Sequence, residues 1–275
     1  MKASSQITLL LTAALFLSGA TTACSLWPRK SPLTWHLVLR VDAPPAEREA
    51  LVNRARAVIE KRLDAIGIRN FEITTQGSPQ DGRLLLRLPT VPSPARLKDL
   101  VTAAGKLELV HVISPPSPAP VQTYPTRTEA VASVASDGIV PKEFRVLPVQ
   151  DQTESRANGS EKWLVVGAMP VVTGEDLRTA MPFPGAINDR YEIMFHLNEA
   201  GAEKLGMWTA ANINQYLAVV LNDEVKSTAF VKSKITDTGE ISGNFTRQMA
   251  EDLALTLKSG MLPVHLTILE EQVDR

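Results

Sequence analysis

Pro115, Pro116, Pro118, Pro120 and Pro125 crowd one short stretch of this chain of 275 residues. Each proline lacks a backbone N–H and holds a fixed φ, so neither a helix nor a central strand can run through Ser114–Pro125. The segment must be an extended linker or a loop that hugs the surface. It splits the chain into two halves, each long enough to bury a core of its own.

The first half reads as alternating strands and helices. Trp35–Asp42 is an apolar-rich strand, and Pro44-Pro45 breaks it and opens a long helix. Along that helix Val52, Ala55, Ile59, Leu63 and Ile66 make one apolar stripe, Arg48, Arg54, Arg56, Glu60 and Lys61 take other faces, and Gly67 ends it. Ile68–Gln76 and Arg83–Leu88 follow as strands, then a short helix begins at Ser93-Pro94 and stops near Gly105. Lys106–Ile113 closes the series as a strand. The order is βαββαβ, the split βαβ of ferredoxin-like sheets.

In the second half Thr128–Gly138 holds a helix, Asp151–Ser160 is a polar loop, and Trp163–Gly167 is a strand. Thr173 with Asp176 three residues on forms a capping-box variant that should start a helix. Tyr191–Leu197 is a strand, and Asn198 caps a helix through Ala202, Leu205 and Trp208. Gln215–Leu221 and Val225–Val231 form a hairpin around Asn222-Asp223. Gly243 and Asn244 supply turn chemistry. Thr246 then caps a helix whose apolar residues recur at Met249, Leu253 and Leu257, with Ala250 and Ala254 beside them. Gly260 ends that helix and Pro263 forbids its continuation. A last strand, Val264–Glu270, puts Val264, Leu266 and Ile268 on one face. The fold class is α+β.

The N-terminus is separate from this pattern. Lys2, the apolar run Ile7–Leu17 and the small residues Ala20–Ala23 before Cys24 read as a secretory signal peptide, too short to cross a bilayer core of about 30 Å as a mature helix. Cys24 is the only cysteine. Three readings stand: a lipobox with Cys24 acylated, plain signal cleavage, or an uncleaved anchor. Thr21 stands where a lipobox usually has Leu, Val or Ile. Acylation would hold a soluble domain on a membrane, and Ser25, in place of Asp, favours the outer over the inner membrane.

The wording of several segments points to a family. Ile241–Thr246 and Leu253–Gly260 ("ISGNFT", "LALTLKSG") closely resemble the end of the first periplasmic domain of the SecD family of the bacterial Sec protein-export machinery. Ala55–Ile73, Ala103–Val110, Val172–Ala180, Phe195–Leu205 and Leu217–Val231 resemble further segments of that domain in the same order. The resemblance implies a base domain over 34–113, a linker over 114–128, a head domain over 129–262 inserted into the base, and a return strand with tail over 263–275. Residues 1–23 are then the signal peptide and 24–33 a tether. It also implies a hinge at two crossings, Ser114–Arg127 and Gly260–Pro263. The family's opening L-D-L-G-G-like segment and membrane bundle have no counterpart in this sequence. A fold and a surface carry over from the resemblance; a proton-coupled motor does not.

Motifs for chemistry are scarce. The formal net charge is −1, without the basic excess of a nucleic-acid binder. His36, His111, His196 and His265 are scattered with no metal-ligand spacing, and no nucleophile-elbow, phosphate-loop or dinucleotide motif occurs. The expectation is therefore no enzyme, no metal and no cofactor. Lys226, Lys232 and Lys234 recur at even spacing along the hairpin and read as a solvated strand face, with contact to an anion or a polypeptide as the functional alternative. The resemblance implies a lipid-anchored periplasmic domain that binds exported polypeptides or components of the Sec or envelope machinery. The alternative is a structural or regulatory envelope lipoprotein with a fixed partner unrelated to export.

Overall fold

The computed structural model describes residues 33–115, 119–135, 138–150, 162–185 and 190–274. Cys24, the rest of the tether except Leu33, which begins a strand, and the polar loop Asp151–Ser160 lie outside the described residues. The element order is β1 (Leu33–Val41), α1 (Arg48–Ala65), β2 (Glu72–Thr75), β3 (Arg83–Pro89), α2 (Pro94–Thr102), β4 (Leu107–Val112), α3 (Arg127–Ala132), β5 (Phe144–Val149), β6 (Lys162–Thr173), β7 (Leu177–Pro184), β8 (Tyr191–Leu197), α4 (Glu199–Ala211), β9 (Tyr216–Leu221), β10 (Glu224–Phe230), β11 (Thr238–Phe245), α5 (Arg247–Ser259) and β12 (Leu266–Val273).

Among the described residues the strands form three sheets. A four-stranded antiparallel sheet has the order β12-β1-β3-β2. Alternation puts Trp35, Leu37, Leu39 and Val41 on one face, where the stripe of α1 (Val52, Ala55, Ile59, Leu63) packs with Leu97 and Val101 of α2. The last strand returns to this sheet as β1's outer neighbour, Val41 opposite Leu266 and Leu39 opposite Ile268.

The fourth strand of the βαββαβ series corrects the sequence reading. Leu107–Val112 does not join the base sheet; it pairs with β6 and β9 in a closed barrel of order β10-β5-β6-β4-β9. The cause lies in its composition. Leu107 and Leu109 sit in the core beneath the third sheet, while Val110 and Val112 fill the barrel interior with Leu164, Val166, Ala218 and Val220. A strand apolar on both faces needs cover on both, and the sheet of β1 has helices on its Trp35 face only.

The third sheet, β11-β8-β7, lays Ala180, Ile193, Phe195 and Ile241 against Ala250, Ala254 and Leu257 of α5 and Leu205 of α4. Asn198 and Thr246 cap α4 and α5 as expected, accepting from the N–H groups of Gly201 at 2.9 Å and Met249 at 3.3 Å. Asn222 (φ 52°) and Asp223 (φ 63°) both adopt the left-handed conformation in the β9–β10 turn, so two short polar side chains do there what glycine does elsewhere.

Other expectations change. The capping box at Thr173 and Asp176 forms, but only one 3-10 turn follows before β7; Pro182 and Pro184 bar a longer helix, and Ala180 is needed opposite Phe195. Gly243 and Asn244 lie inside β11, at an irregularity in its pairing with β8, not in a free turn. The strand β5 had no strong sequence signal, because Pro148 interrupts it. The proline-dense stretch from Ala119 to Tyr124 runs along the barrel: Tyr124 and Trp163 exchange backbone hydrogen bonds of 2.9 and 2.8 Å, and the Tyr216 hydroxyl donates to the Ala119 carbonyl at 2.8 Å. The chain therefore leaves the base sheet at Ala103–Lys106, upstream of the prolines, and returns through Gly260–Pro263.

Candidate functional site

The two crossings meet at one side chain. Arg62 stands on the apolar face of α1, one turn beyond Ile59, and is 1% exposed. Its Nη1 donates to the carbonyls of Leu100 (2.8 Å) and Ala103 (2.6 Å), and its Nη2 donates to that of Gly260 (3.1 Å). Ala103 and Gly260 are the C-caps of α2 and α5. A helix C-terminus leaves carbonyls without intrahelical partners and carries the negative end of the helix dipole. Two such ends converge on one cation, which accounts for a buried guanidinium without a carboxylate. Burial lowers its pKa to about 10, so it stays charged at neutral pH.

One further bond joins the crossings, and a pair of bonds ties the first of them to the β9–β10 turn. Leu262 N–H donates to the Ala104 carbonyl at 2.9 Å. Lys106 N–H donates to Asn222 Oδ1 at 3.0 Å, and Asn222 N–H donates to the Lys106 carbonyl at 2.9 Å. Gly105 has φ +68°, and a Cβ built there would lie 2.7 Å from Thr256 Cγ2, so glycine is required on both counts.

Beside this junction opens a groove of about 280 Å³. Leu100, Ala103 and Gly105 line one side; Leu221, Phe245, Met249, Leu253 and Thr256 line the other. The apolar stripe of α5 thus divides. Ala250, Ala254 and Leu257 go into the core, while Met249, 49% exposed, and the half-buried Leu253 face the groove. Asp99, Asn222 and Asp252 complete the rim. Asp252 takes the Arg96 fork, with Nη2–Oδ1 at 2.6 Å and Nε–Oδ2 at 3.1 Å, which ties α2 to α5. The walls are almost wholly apolar, so the groove offers contact area to an apolar side chain and few directional bonds.

Lys226, Lys232 and Lys234 do not share a strand face. Lys226 is ion-paired with Glu224 and its side chain is 12% exposed. Lys232 and Lys234 lie past the end of β10, Lys234 against Gly206 of α4. The histidines have separate neighbours: His36 with Asp274, His111 with Trp208 and Gln215, His196 with Thr238, His265 with Asp42. Among the described residues no group of three or more His, Cys, Asp or Glu is placed to hold a metal ion, and no helix is long and apolar enough to cross a membrane.

Comparison with known proteins decides the family. Residues 52–114 match the family model for the N-terminal part of the P1 domain of protein translocase subunit SecDF, and residues 148–264 match that for the SecDF P1 head subdomain. The SecD translocase subunit of Aquifex aeolicus is 34% identical over 227 residues, 82% of this chain and 40% of that protein. The chain belongs to the SecD family. The SecD subunit of Elusimicrobium minutum is 31% identical over 232 residues, 84% of this chain and 48% of that protein. The chain thus spans less than half the length of the curated relatives it matches. A solved structure of SecDF, described as a membrane component that enhances protein export, aligns with TM-score 0.61 at 25% identity over 86% of this chain and 98% of its own. SecDF in a super-membrane-facing form aligns with TM-score 0.62 at 24% identity, over 90% of this chain and 32% of its own, and supports the fold alone.

Two features of the site escaped sequence reading. Arg62 carried a signal, a cation on the apolar stripe between Ile59 and Ile66. The groove carried none, since Leu221, Phe245 and Leu253 meet only through the tertiary fold.

Proposed function

We propose that this chain serves protein export by binding, without catalysis, and that the groove beside Arg62 takes apolar stretches of unfolded exported polypeptide. The observation that carries this reading is the apolar lining of the groove, formed by an exposed Met249 and by Leu253 at the edge of the core. Apolar recognition is non-directional and tolerates many sequences, which suits a client set with nothing in common but being unfolded. Burying one large apolar side chain contributes about 1.5–3 kcal/mol, so a groove with room for one or two holds a segment at roughly millimolar affinity. Such a hold is easily released. The Sec translocon or another envelope protein is the partner that would deliver or receive the segment. Acylated Cys24 would anchor the domain at the periplasmic face of a membrane, the outer one by the Ser25 argument.

Titration of the full chain with an unstructured Leu- and Phe-containing peptide tests the groove. Leu253→Asp should abolish binding, while Lys232→Ala and Lys234→Ala should leave it unchanged. A chain that ignores the peptide yet keeps one fixed envelope partner through crosslinking would sink this reading in favour of a structural role. For the anchor, Cys24→Ala should leave an unacylated precursor with its signal attached, seen by mass spectrometry. Processing to the ordinary mature mass, allowing for the substitution, would remove the anchor from the proposal.

A further inference from the structure

The groove has walls from two different cores. Leu100 and Ala103 continue α2, whose Leu97 and Val101 are embedded under the β1 sheet. Leu221, Phe245 and Leu253 belong to or pack against the core beneath the β11-β8-β7 sheet. An occupant therefore touches both, and the width it meets is the spacing of the two cores. That spacing is set where the chain crosses between them, at Ala103–Lys106 and Gly260–Pro263. Arg62 does not line the groove. It nevertheless holds the carbonyls of Leu100 and Ala103 from one wall and that of Gly260 at the end of α5, the helix that supplies Met249 and Leu253 to the other.

We infer that Arg62 is a positioning residue for the groove, and that occupancy of the groove and closure of the two crossings are thermodynamically linked. The inference rests on the groove being a polypeptide site. Linkage is reciprocal: whatever the clasp does for ligand affinity, ligand must do for the clasp. The guanidinium matters here for its planar fork, which reaches three carbonyls at once. A lysine keeps the charge but presents a single compact ammonium on a flexible stem, so Arg62→Lys should leave the walls less well spaced without removing the cation.

Hydrogen exchange and peptide titration on the full chain test this with the same Leu- and Phe-containing peptide. Saturating peptide should slow exchange of the Leu262 amide, which bonds Ala104 across the two crossings and lies outside the groove lining, by about fivefold. Arg62→Lys should weaken peptide binding by about fivefold. Ile59→Val, which trims the same helix's buried face without touching the clasp, should bind as the unaltered chain does and so controls for lost stability. If the peptide binds but exchange at Leu262 does not move, or if Arg62→Lys binds as tightly as Ile59→Val, the linkage is overturned while the groove reading stands. If the unaltered chain does not bind the peptide, the groove reading fails and takes the linkage with it. The exchange measurement needs no variant, so a misfolded Arg62→Lys still leaves the linkage testable.

Discussion

Two strands of this molecule look alike in sequence and end in different sheets. Both β4 and β12 follow an amphipathic helix, a glycine (Gly105 or Gly260) and a short connection, and both helices end at the carbonyls held by Arg62. Either could have completed the sheet beside β1. β12 takes that place and β4 enters the barrel. The difference lies in what each strand can leave uncovered. In β4 five of six residues are buried, with apolar side chains on both faces. In β12 only Leu266 is buried, and Glu270, Glu271 and Gln272 are exposed. An edge position on a sheet with one open face suits β12, and the inside of a closed barrel suits β4. Apolar content on both faces, not the order of elements, selects the sheet.

Removing β12 should break the comparison most severely. Truncation after Pro263 uncovers the edge of β1 and the buried Leu266 and partly buried Ile268 contacts, and should cost several kcal/mol at about 25 cal/mol per Å² of apolar surface. Urea unfolding of the truncated chain measures it; unchanged stability would show that β12 is an ornament on the sheet. The next contrast sets the strands against each other. Leu109→Ala in β4 should cost about 2–5 kcal/mol, while Leu269→Ala in β12, already 38% exposed, should stay within about 0.5 kcal/mol. Equal losses would refute the account based on covered faces.

Smaller effects sharpen the connections. Gly105→Ala forces a side chain into the left-handed region and against Thr256, and should cost about 1–3 kcal/mol, with a weakened Arg62 clasp visible as faster Leu262 amide exchange. The smallest effect concerns charge on β12. Glu271 accepts from Lys98 at 2.8 Å and from Trp35 Nε1 at 3.1 Å, and the Lys98 bond foremost lowers its pKa, with partial desolvation opposing. Because its pKa is depressed on folding, the stability it contributes is present above the ordinary carboxylate range near pH 4 and is lost as pH falls through the folded value. Glu271→Gln should flatten that acid-side decline slightly, and an unchanged pH profile would mean the pair is too exposed to matter.

Much of this was legible in the sequence. The stripe of α1, the caps at Asn198 and Thr246, the β9–β10 hairpin and the last strand follow from local patterns read over a few residues, while the return of that strand to the base sheet followed from the family resemblance. The misplaced helix after Thr173 shows the limit of such patterns: the capping box was real, but prolines downstream and a strand partner outvoted it. At the site, Met249 and Leu253 were legible as part of an apolar stripe and illegible as a groove, because burial on a helix depends on what stands opposite.

The sequence by itself determined most of the helices and strands, though not β5, β7 or β11, and the family whose domain they build. Periodicity and capping are properties of neighbouring residues, so they can be read without knowing the fold. Only the tertiary structure decided that β4 leaves the sheet its order suggests, that the chain from Ala119 to Tyr124 lies along the barrel, and that Arg62 gathers the ends of two helices, at Ala103 and Gly260, far apart in sequence. Those outcomes turn on competition between distant segments for the same buried surface, and a linear pattern carries no record of which competitor covers it best.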